Sequence, residues 1–129
     1  MDATIKAVEN VNAESTSQEV PVFRVKPGGY MIASGARVKT AFAGVTYPTV
    51  KLGEGTLTES ILKQQPIGKV GDLKPGGATV TPGFCEALNT GGGQKTEATR
   101  AIFATFESES GNLSSLSAGE IEFFIVYVD

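Results

Sequence analysis

The last eleven residues of the chain, 119–129 (GEIEFFIVYVD), constrain its fold more than any other segment. With the two-residue period of a β-strand, Ile121 and Phe123 fall on one face. Phe124 and Val126 fall on the other face, so the segment is apolar on both sides over most of its length. A strand of this kind usually lies in the middle of a sheet and is covered from both sides. The sequence therefore predicts a central C-terminal strand.

The composition fits one globular domain that is rich in turns. The chain has 129 residues, 40% apolar and 19% charged, with 16 glycines and 6 prolines. Its net charge of −3 provides no basic surface for nucleic acid or anionic lipid, and no apolar run approaches the roughly 20 residues that span a bilayer. The N-terminus lacks the features of a secretory signal, so we expect the chain to mature in the cytoplasm, where it is made.

The sequence contains few residues that could catalyse a reaction or bind a metal ion. The chain has no histidine and one cysteine, Cys85, which excludes a His-dependent triad, an imidazole-bound zinc ion and an internal disulfide. Cys85 is interpreted as a small apolar side chain. Two carboxylate pairs at i and i+2 have nothing nearby to complete a calcium or glycosidase site, and they are interpreted as solvated. These pairs are Glu107 with Glu109 and Glu120 with Glu122. We therefore expect no catalytic residue, no cofactor and no metal ion, and a protein that is not an enzyme.

The rest of the chain alternates between short strand patterns and turns rich in glycine and proline. Strands are predicted at residues 19–26, 30–42, 46–52 and 97–108, with brief ones at 67–70 and 78–81. Pro21 places the first of these at a sheet edge, and Gly35 indicates a bulge or a close approach by another backbone. Residues 58–65, between a capping Thr58 and Pro66, are predicted to form one short helix. This pattern predicts an all-β fold, a β-sandwich or jelly-roll-like barrel with that one helix.

Residues 1–18 are predicted to form a flexible, extended N-terminal arm, and residues 19–129 the β-sandwich domain. The second half of the arm is polar and small, so it gains little by packing on the chain's own body. We expect the arm to lie on a neighbouring protein, with Val8 and Val11 docked in a groove there and Val20 as the anchor on the edge strand. The other interpretation is a frayed terminus.

Phe124 and Val126 are the remaining candidate contacts with a partner. They share a face with Glu122, and the apolar surface of the last two strands exceeds what one small pair of sheets must bury. Either another layer of the same chain covers this face, or it lies at an interface between subunits.

Three segments combine strand and turn motifs: residues 42–44 (FAG), 49–53 (TVKLG) and 117–127 (SAGEIEFFIVY). With these motifs the chain resembles small virion proteins of tailed bacteriophages. In those proteins a strand that ends in an aromatic residue and a glycine leads into a TV-x-L-G strand, and a later Ser/Ala-Gly turn opens a C-terminal strand that ends in an aromatic–valine pair. The resemblance covers about residues 30–53 and 97–129.

The resemblance implies a capsid decoration (cement) protein, a non-catalytic β-sandwich on the virion surface that binds the major capsid protein and stabilises the head. It also implies a homotrimer, commonly at three-fold positions of the capsid. A receptor- or carbohydrate-binding β-module of a phage head or tail fibre stays open as an alternative, and an enzyme is the third class. A sugar-binding module needs exposed aromatic rings for stacking, and a chain with three tyrosines and no tryptophan offers few.

Overall fold

The structure, a computed structural model of the chain, describes residues 2–25, 30–54, 57–73 and 100–128. These residues contain eight β-strands and one short 3-10 turn, Leu113–Ser115. The strands are β1 Asp2–Lys6, β2 Ser17–Val25, β3 Tyr30–Ala43, β4 Thr49–Glu54, β5 Leu57–Pro66, β6 Gly71–Leu73, β7 Arg100–Glu107 and β8 Ala118–Val128.

Within the described ranges the strands form two four-stranded antiparallel sheets. One sheet has the order β1-β8-β3-β6 and the other has the order β2-β7-β4-β5. The first strand therefore pairs with the eighth, the second with the seventh, the third with the sixth and the fourth with the fifth. This is the strand pairing of a jelly roll, a long antiparallel hairpin rolled into two sheets. The all-β fold predicted from the sequence is confirmed.

The C-terminal strand β8 is central, as predicted, because it lies between β1 and β3. Ile121, Phe123 and Ile125 on its inner face are completely buried. Its outer face differs from the prediction, since Phe124 and Val126 remain exposed. The strand is therefore covered from one side by the rest of the described chain.

The core lies between the two sheets. The rings of Phe42 on β3 and Phe106 on β7 meet there with their centroids 5.7 Å apart and their planes tilted by 35°. Leu113 and Leu116 in the connection before β8 are buried against the same core. Other deeply buried side chains of β3, β4 and β7 are Val38, Val50, Leu52, Ile102 and Ala104.

The predicted helix at residues 58–65 is wrong, because this segment lies within strand β5. Ile61 and Leu62 are adjacent in sequence and both are buried, a pattern that suits a helix as well as an irregular strand. The register between β4 and β5 shifts on both sides of Leu62, so β5 carries extra residues opposite β4. Eight residues form only a marginal helix on their own, whereas the strand gains ladder hydrogen bonds to β4.

The N-terminal segment is also part of the body, which corrects the prediction of a free arm at residues 1–18. Strand β1 pairs with β8, and Ile5 lies opposite Ile121 in the register. Val8 adopts a left-handed backbone with φ of 72°, and the turn around it returns the chain so that Val11 is completely buried. The apolar residues of this segment are few, but the turn places Ala7 and Val11 in the core.

The polar residues after this turn are fixed by backbone hydrogen bonds. The amide of Leu113 donates to the carbonyl oxygen of Ser15 at 2.8 Å, and the amide of Ser108 donates to Thr16 at 2.9 Å. Strand β2 begins at Ser17, so the predicted boundary at residue 18 falls inside a strand.

Among the smaller strand predictions, some are confirmed and others are wrong. Pro21 lies on β2, an edge strand of its sheet within the described chain, as predicted. A bulge between Pro21 and Phe23 turns both Val20 and Phe23 inward. Residues 67–70 form a connection rather than a strand, and β6 follows them. The brief strand predicted at 78–81 lies outside the described residues, as does Cys85.

Candidate functional site

The five side chains predicted to contact a partner do not form one surface. Val11 and Val20 are buried in the core, so their prediction as partner contacts is wrong for the folded chain. Val8 is 58% exposed, but it lies in the turn after β1. Strand β1 ends at Lys6, which pairs with Glu120 near the start of β8. Phe124 and Val126 lie further along β8, so the structure keeps Val8 apart from them.

Phe124 and Val126 form the first candidate surface, called here the Phe124 patch. They lie on the outer face of the β1-β8-β3-β6 sheet and are 40% and 45% exposed. Gly35 is paired directly with Phe124 on the neighbouring strand, and it is buried. A Cβ at position 35 would lie 2.7 Å from Cε1 of Phe124, so the end of the ring leans over the glycine. The apolar patch therefore extends from β8 over the backbone of β3.

Charged side chains occupy the same face beside the patch. Nζ of Lys39 lies 3.6 Å from Oε2 of Glu122, and Nε of Arg37 donates to Oδ1 of Asp72 at 2.7 Å. The hydrogen bond from Arg37 to Asp72, together with the charge of that carboxylate, raises the pKa of Arg37, which therefore stays cationic at any pH that the fold tolerates. Exposed ion pairs add little stability, but they give the apolar patch a charged border. An apolar centre with a polar rim is the usual composition of a protein contact surface.

A second surface lies where the β3–β4 and β5–β6 connections meet, and it is called here the Tyr47 groove. It is an open groove of about 420 Å³, lined by Tyr47, Pro48, Pro66, Gly68 and Lys69. Tyr47 is 57% exposed, and its backbone is left-handed with φ of 50°. The amide of Ile67 donates to the carbonyl oxygen of Pro48 at 2.9 Å and joins the two connections.

The groove and the patch lie towards opposite ends of the strands. Strand β3 passes Phe124 at Gly35 and ends at Ala43, shortly before Tyr47. Eight residues of extended chain at about 3.3 Å each separate the two surfaces by roughly 25 Å. A ligand at one surface therefore leaves the other accessible.

The remaining candidate chemistry is sparse. In the described part of the chain, no group of three or more His, Cys, Asp or Glu side chains is arranged to hold a metal ion. Glu107, one of the carboxylates interpreted as solvated, lies 3.1 Å from Nζ of Lys51 and is partly buried. No helix in the described segments has the length and apolar character needed to cross a membrane.

The sequence did not reveal the Tyr47 groove. Residues 46–52 were predicted as one strand, whereas β4 begins at Thr49 and Tyr47 lies in the connection before it. The available signal was Tyr47 followed by Pro48, two residues with restricted backbones shortly after the turn at Gly44. The other wall of the groove comes from residues 66–69, which are distant in sequence.

Comparison with known proteins identified no relative of this chain. No protein-family model matches the chain, and no curated protein and no solved structure matches it either. Any function therefore has to follow from the geometry of the two surfaces and from the motifs of the sequence.

Proposed function

We propose that this protein is a capsid decoration (cement) protein of a tailed bacteriophage. It binds the major capsid protein on the outside of the head and stabilises the particle without catalysing a reaction. In this proposal the chain is made in the host cytoplasm, forms a homotrimer and is carried on the virion. The observation that supports the proposal most directly is the Phe124 patch on a β-sandwich body.

The fold is compatible with this role. Jelly rolls are frequent in viral capsid proteins, although lectins and other proteins also use the architecture. A fold alone does not define a function. The fold supplies a body of two sheets with a shared core. The strand-and-turn motifs that resemble phage virion proteins lie on β3, β4 and β8 of that body.

The Phe124 patch gives this body a surface for association. Phe124 and Val126 are neighbouring apolar side chains on a sheet face that also carries the ion pairs Arg37–Asp72 and Lys39–Glu122. Contiguous apolar surface with a polar border is typical of sites where proteins associate. We assign the patch to the contact between copies of the chain, and the resulting trimer is the form that binds the capsid.

The proposal is tested with two serine variants, each at an exposed apolar position. Phe124→Ser removes the central ring of the patch, and Val8→Ser removes a more exposed apolar side chain from a distant turn. Sedimentation equilibrium should show a trimer for the wild type and for Val8→Ser, and a folded monomer for Phe124→Ser. Circular dichroism confirms that each variant has kept the β fold.

Capsid binding is then measured by co-sedimentation with tailed-phage heads stripped of their own decoration protein. We expect Phe124→Ser to bind at least about tenfold more weakly than the wild type, a loss of about 1.4 kcal/mol. A wild-type chain that stays monomeric and leaves every head uncoated would contradict the proposal. A Phe124→Ser variant that trimerises and binds normally would show that the patch is not the contact surface.

A further inference from the structure

We propose that the Tyr47 groove binds an acidic saccharide, a pyranose that carries a carboxylate group. This binding activity goes beyond association with a capsid and does not depend on it. It rests on the backbone of Tyr47, on the shape and chemistry of the groove walls, and on the charge of Lys69.

The backbone of Tyr47 is held in a conformation that is unfavourable for a non-glycine residue. Its φ of 50° lies in the left-handed region, which L-residues with a side chain seldom adopt. The neighbouring residue Thr46 is fixed by two hydrogen bonds at 2.9 Å, from its amide to the carbonyl oxygen of Ser110 and from the amide of Glu109 to its own carbonyl oxygen. Tyr47 is nevertheless 57% exposed as a residue, so little of the strain is offset by burial. Strain that is held in place without a gain in packing is characteristic of functional positions.

The walls of the groove suit a small, flat ligand with an apolar face. The phenol ring of Tyr47 and the pyrrolidine rings of Pro48 and Pro66 offer stiff apolar surfaces. A Cβ added at Gly68 would meet no atom within 4 Å, so that side of the groove is open. A pyranose has one face of C–H groups that stacks on such rings, and its hydroxyl groups remain in water at the open side.

The size and the hydrogen bonding of the groove argue against a peptide ligand. A volume of 420 Å³ lies in the usual range of about 300–1,000 Å³ for small-molecule sites. An α-helix is about 10–12 Å across and needs a larger groove. An extended peptide needs free backbone groups to pair with. The backbone groups of Thr46 and Ile67 are already bonded, as is the carbonyl oxygen of Pro48.

The charge of the groove favours an anionic sugar. Lys69 is exposed on its rim, and it forms no ion pair with any residue that the structure describes. Glu109 on the adjoining connection has the opposite charge, so we expect a millimolar dissociation constant rather than a micromolar one. The chain as a whole carries a net charge of −3, so the preference for an acid has to arise locally at Lys69.

The experiment uses the full chain and three free monosaccharides, glucuronic acid, N-acetylneuraminic acid and neutral glucose. Saturation-transfer NMR and amide chemical-shift titration measure the binding of each sugar. We expect at least one of the two acids to bind with a millimolar dissociation constant and glucose to bind at least about tenfold more weakly, with the shifted amides at residues 46–49 and 67–70. No binding of either acid at up to about 50 mM would overturn the proposal, as would equal binding of glucose.

Three variants locate the site. Tyr47→Asn removes the ring but keeps a residue that tolerates the left-handed backbone, and it should weaken acid binding at least about tenfold. Lys69→Gln should reduce acid binding to the level of glucose. Val70→Ser changes an exposed side chain next to the groove lining and should bind like the wild type. Wild-type binding by Tyr47→Asn would overturn the proposal, and so would preferential binding of a proline-rich or acidic peptide.

The capsid assay separates this proposal from the proposed function. Tyr47→Asn should bind heads like the wild type, because the Tyr47 groove and the Phe124 patch lie at opposite ends of the sandwich. Loss of sugar binding with normal capsid binding places the two activities on separate surfaces. Loss of both in a folded Tyr47→Asn protein would contradict the assignment of the groove to a saccharide alone.

Discussion

The ring of Phe124 lies over Gly35, its partner on the neighbouring strand, and fills the space that a side chain at position 35 would take. A glycine inside a strand weakens the strand because it offers no side chain for packing. An aromatic ring from the adjacent strand can supply that missing contact. The exposed ring of the Phe124 patch therefore also covers the backbone of β3, so the same side chain contributes to the stability of the sheet and to its exposed apolar patch.

This relationship predicts an energetic coupling between the two positions. In Gly35→Ala the new methyl group must displace the ring of Phe124, and the exposed ring can swing outward, so we expect a loss of about 1 kcal/mol or less. In a Phe124→Ala background the same change should be neutral or stabilising, because alanine restricts the unfolded chain. Urea unfolding of the four proteins at a concentration that keeps them monomeric gives the coupling energy. Additive effects would show that the ring does not rest on the glycine in solution.

Gly119 makes a comparable contact inside the core, where we expect a larger effect. Its φ of 152° is unfavourable for other residues, and a Cβ there would overlap the ring of Phe42. That ring is buried and packs on Phe106, so it has no space to move. Gly119→Ala should lower the free energy of unfolding by about 2–4 kcal/mol.

The matched control for Gly119 is Gly68→Ala. An added Cβ at Gly68 meets no atom within 4 Å, and its backbone is not in the left-handed region. We expect a change in stability within about 0.5 kcal/mol, as for most surface substitutions. Thermal unfolding of both variants checks the pair, and equal melting temperatures would contradict the packing of Phe42 against Gly119.

The N-terminal segment is expected to be essential for stability. Val11 is completely buried, so Val11→Ala should cost about 1–3 kcal/mol. Deletion of residues 2–16 removes β1 from its place beside β8 together with Val11, and it should lower the melting temperature far more. A truncated protein that melts like the full chain would restore the hypothesis of a free arm.

The strands were predictable where the alternation of side chains is regular. The pattern in β3, β7 and β8 reflects the opposite directions of successive side chains, and it placed Ile121 and Phe123 together on one face, which is the buried one. The pattern failed at Ile61 and Leu62, because two adjacent apolar residues fit both a helix and an irregular strand. Pairing with β4 decides between them, and that pairing is not a local property of the sequence.

The candidate sites were likewise predictable only where they depend on local sequence. Exposure of Phe124 and Val126 was one of two alternatives that the sequence left open, because Glu122 shares their face but most of the strand is apolar on both sides. The burial of Val11 depends on the turn at Val8, which composition does not reveal. The Tyr47 groove depends on a hydrogen bond between connections that are about twenty residues apart along the chain. Such contacts become visible only when the strand order is known.

The side chain of Gln18 is expected to hold the first connection in place. Its Oε1 accepts hydrogen bonds from the amides of Asn12 at 2.9 Å and Ala13 at 3.0 Å, and its Nε2 donates to the carbonyl oxygen of Asn10 at 2.9 Å. Gln18→Ala removes all three bonds, so we expect a loss of about 1–3 kcal/mol. Hydrogen exchange should show that the amides of Asn12 and Ala13 lose protection together.

Gln18→Glu is the variant that separates the two ends of this side chain. A carboxylate at position 18 still accepts from the amides of Asn12 and Ala13, but it has no proton to donate to the carbonyl oxygen of Asn10 at neutral pH. The two amides should therefore keep more protection than in Gln18→Ala, while the stability falls between that of Gln18→Ala and the wild type. If both variants exchanged like the wild type, the connection would be held by its backbone bonds alone, chiefly those from Leu113 and Ser114 to residues 13–15.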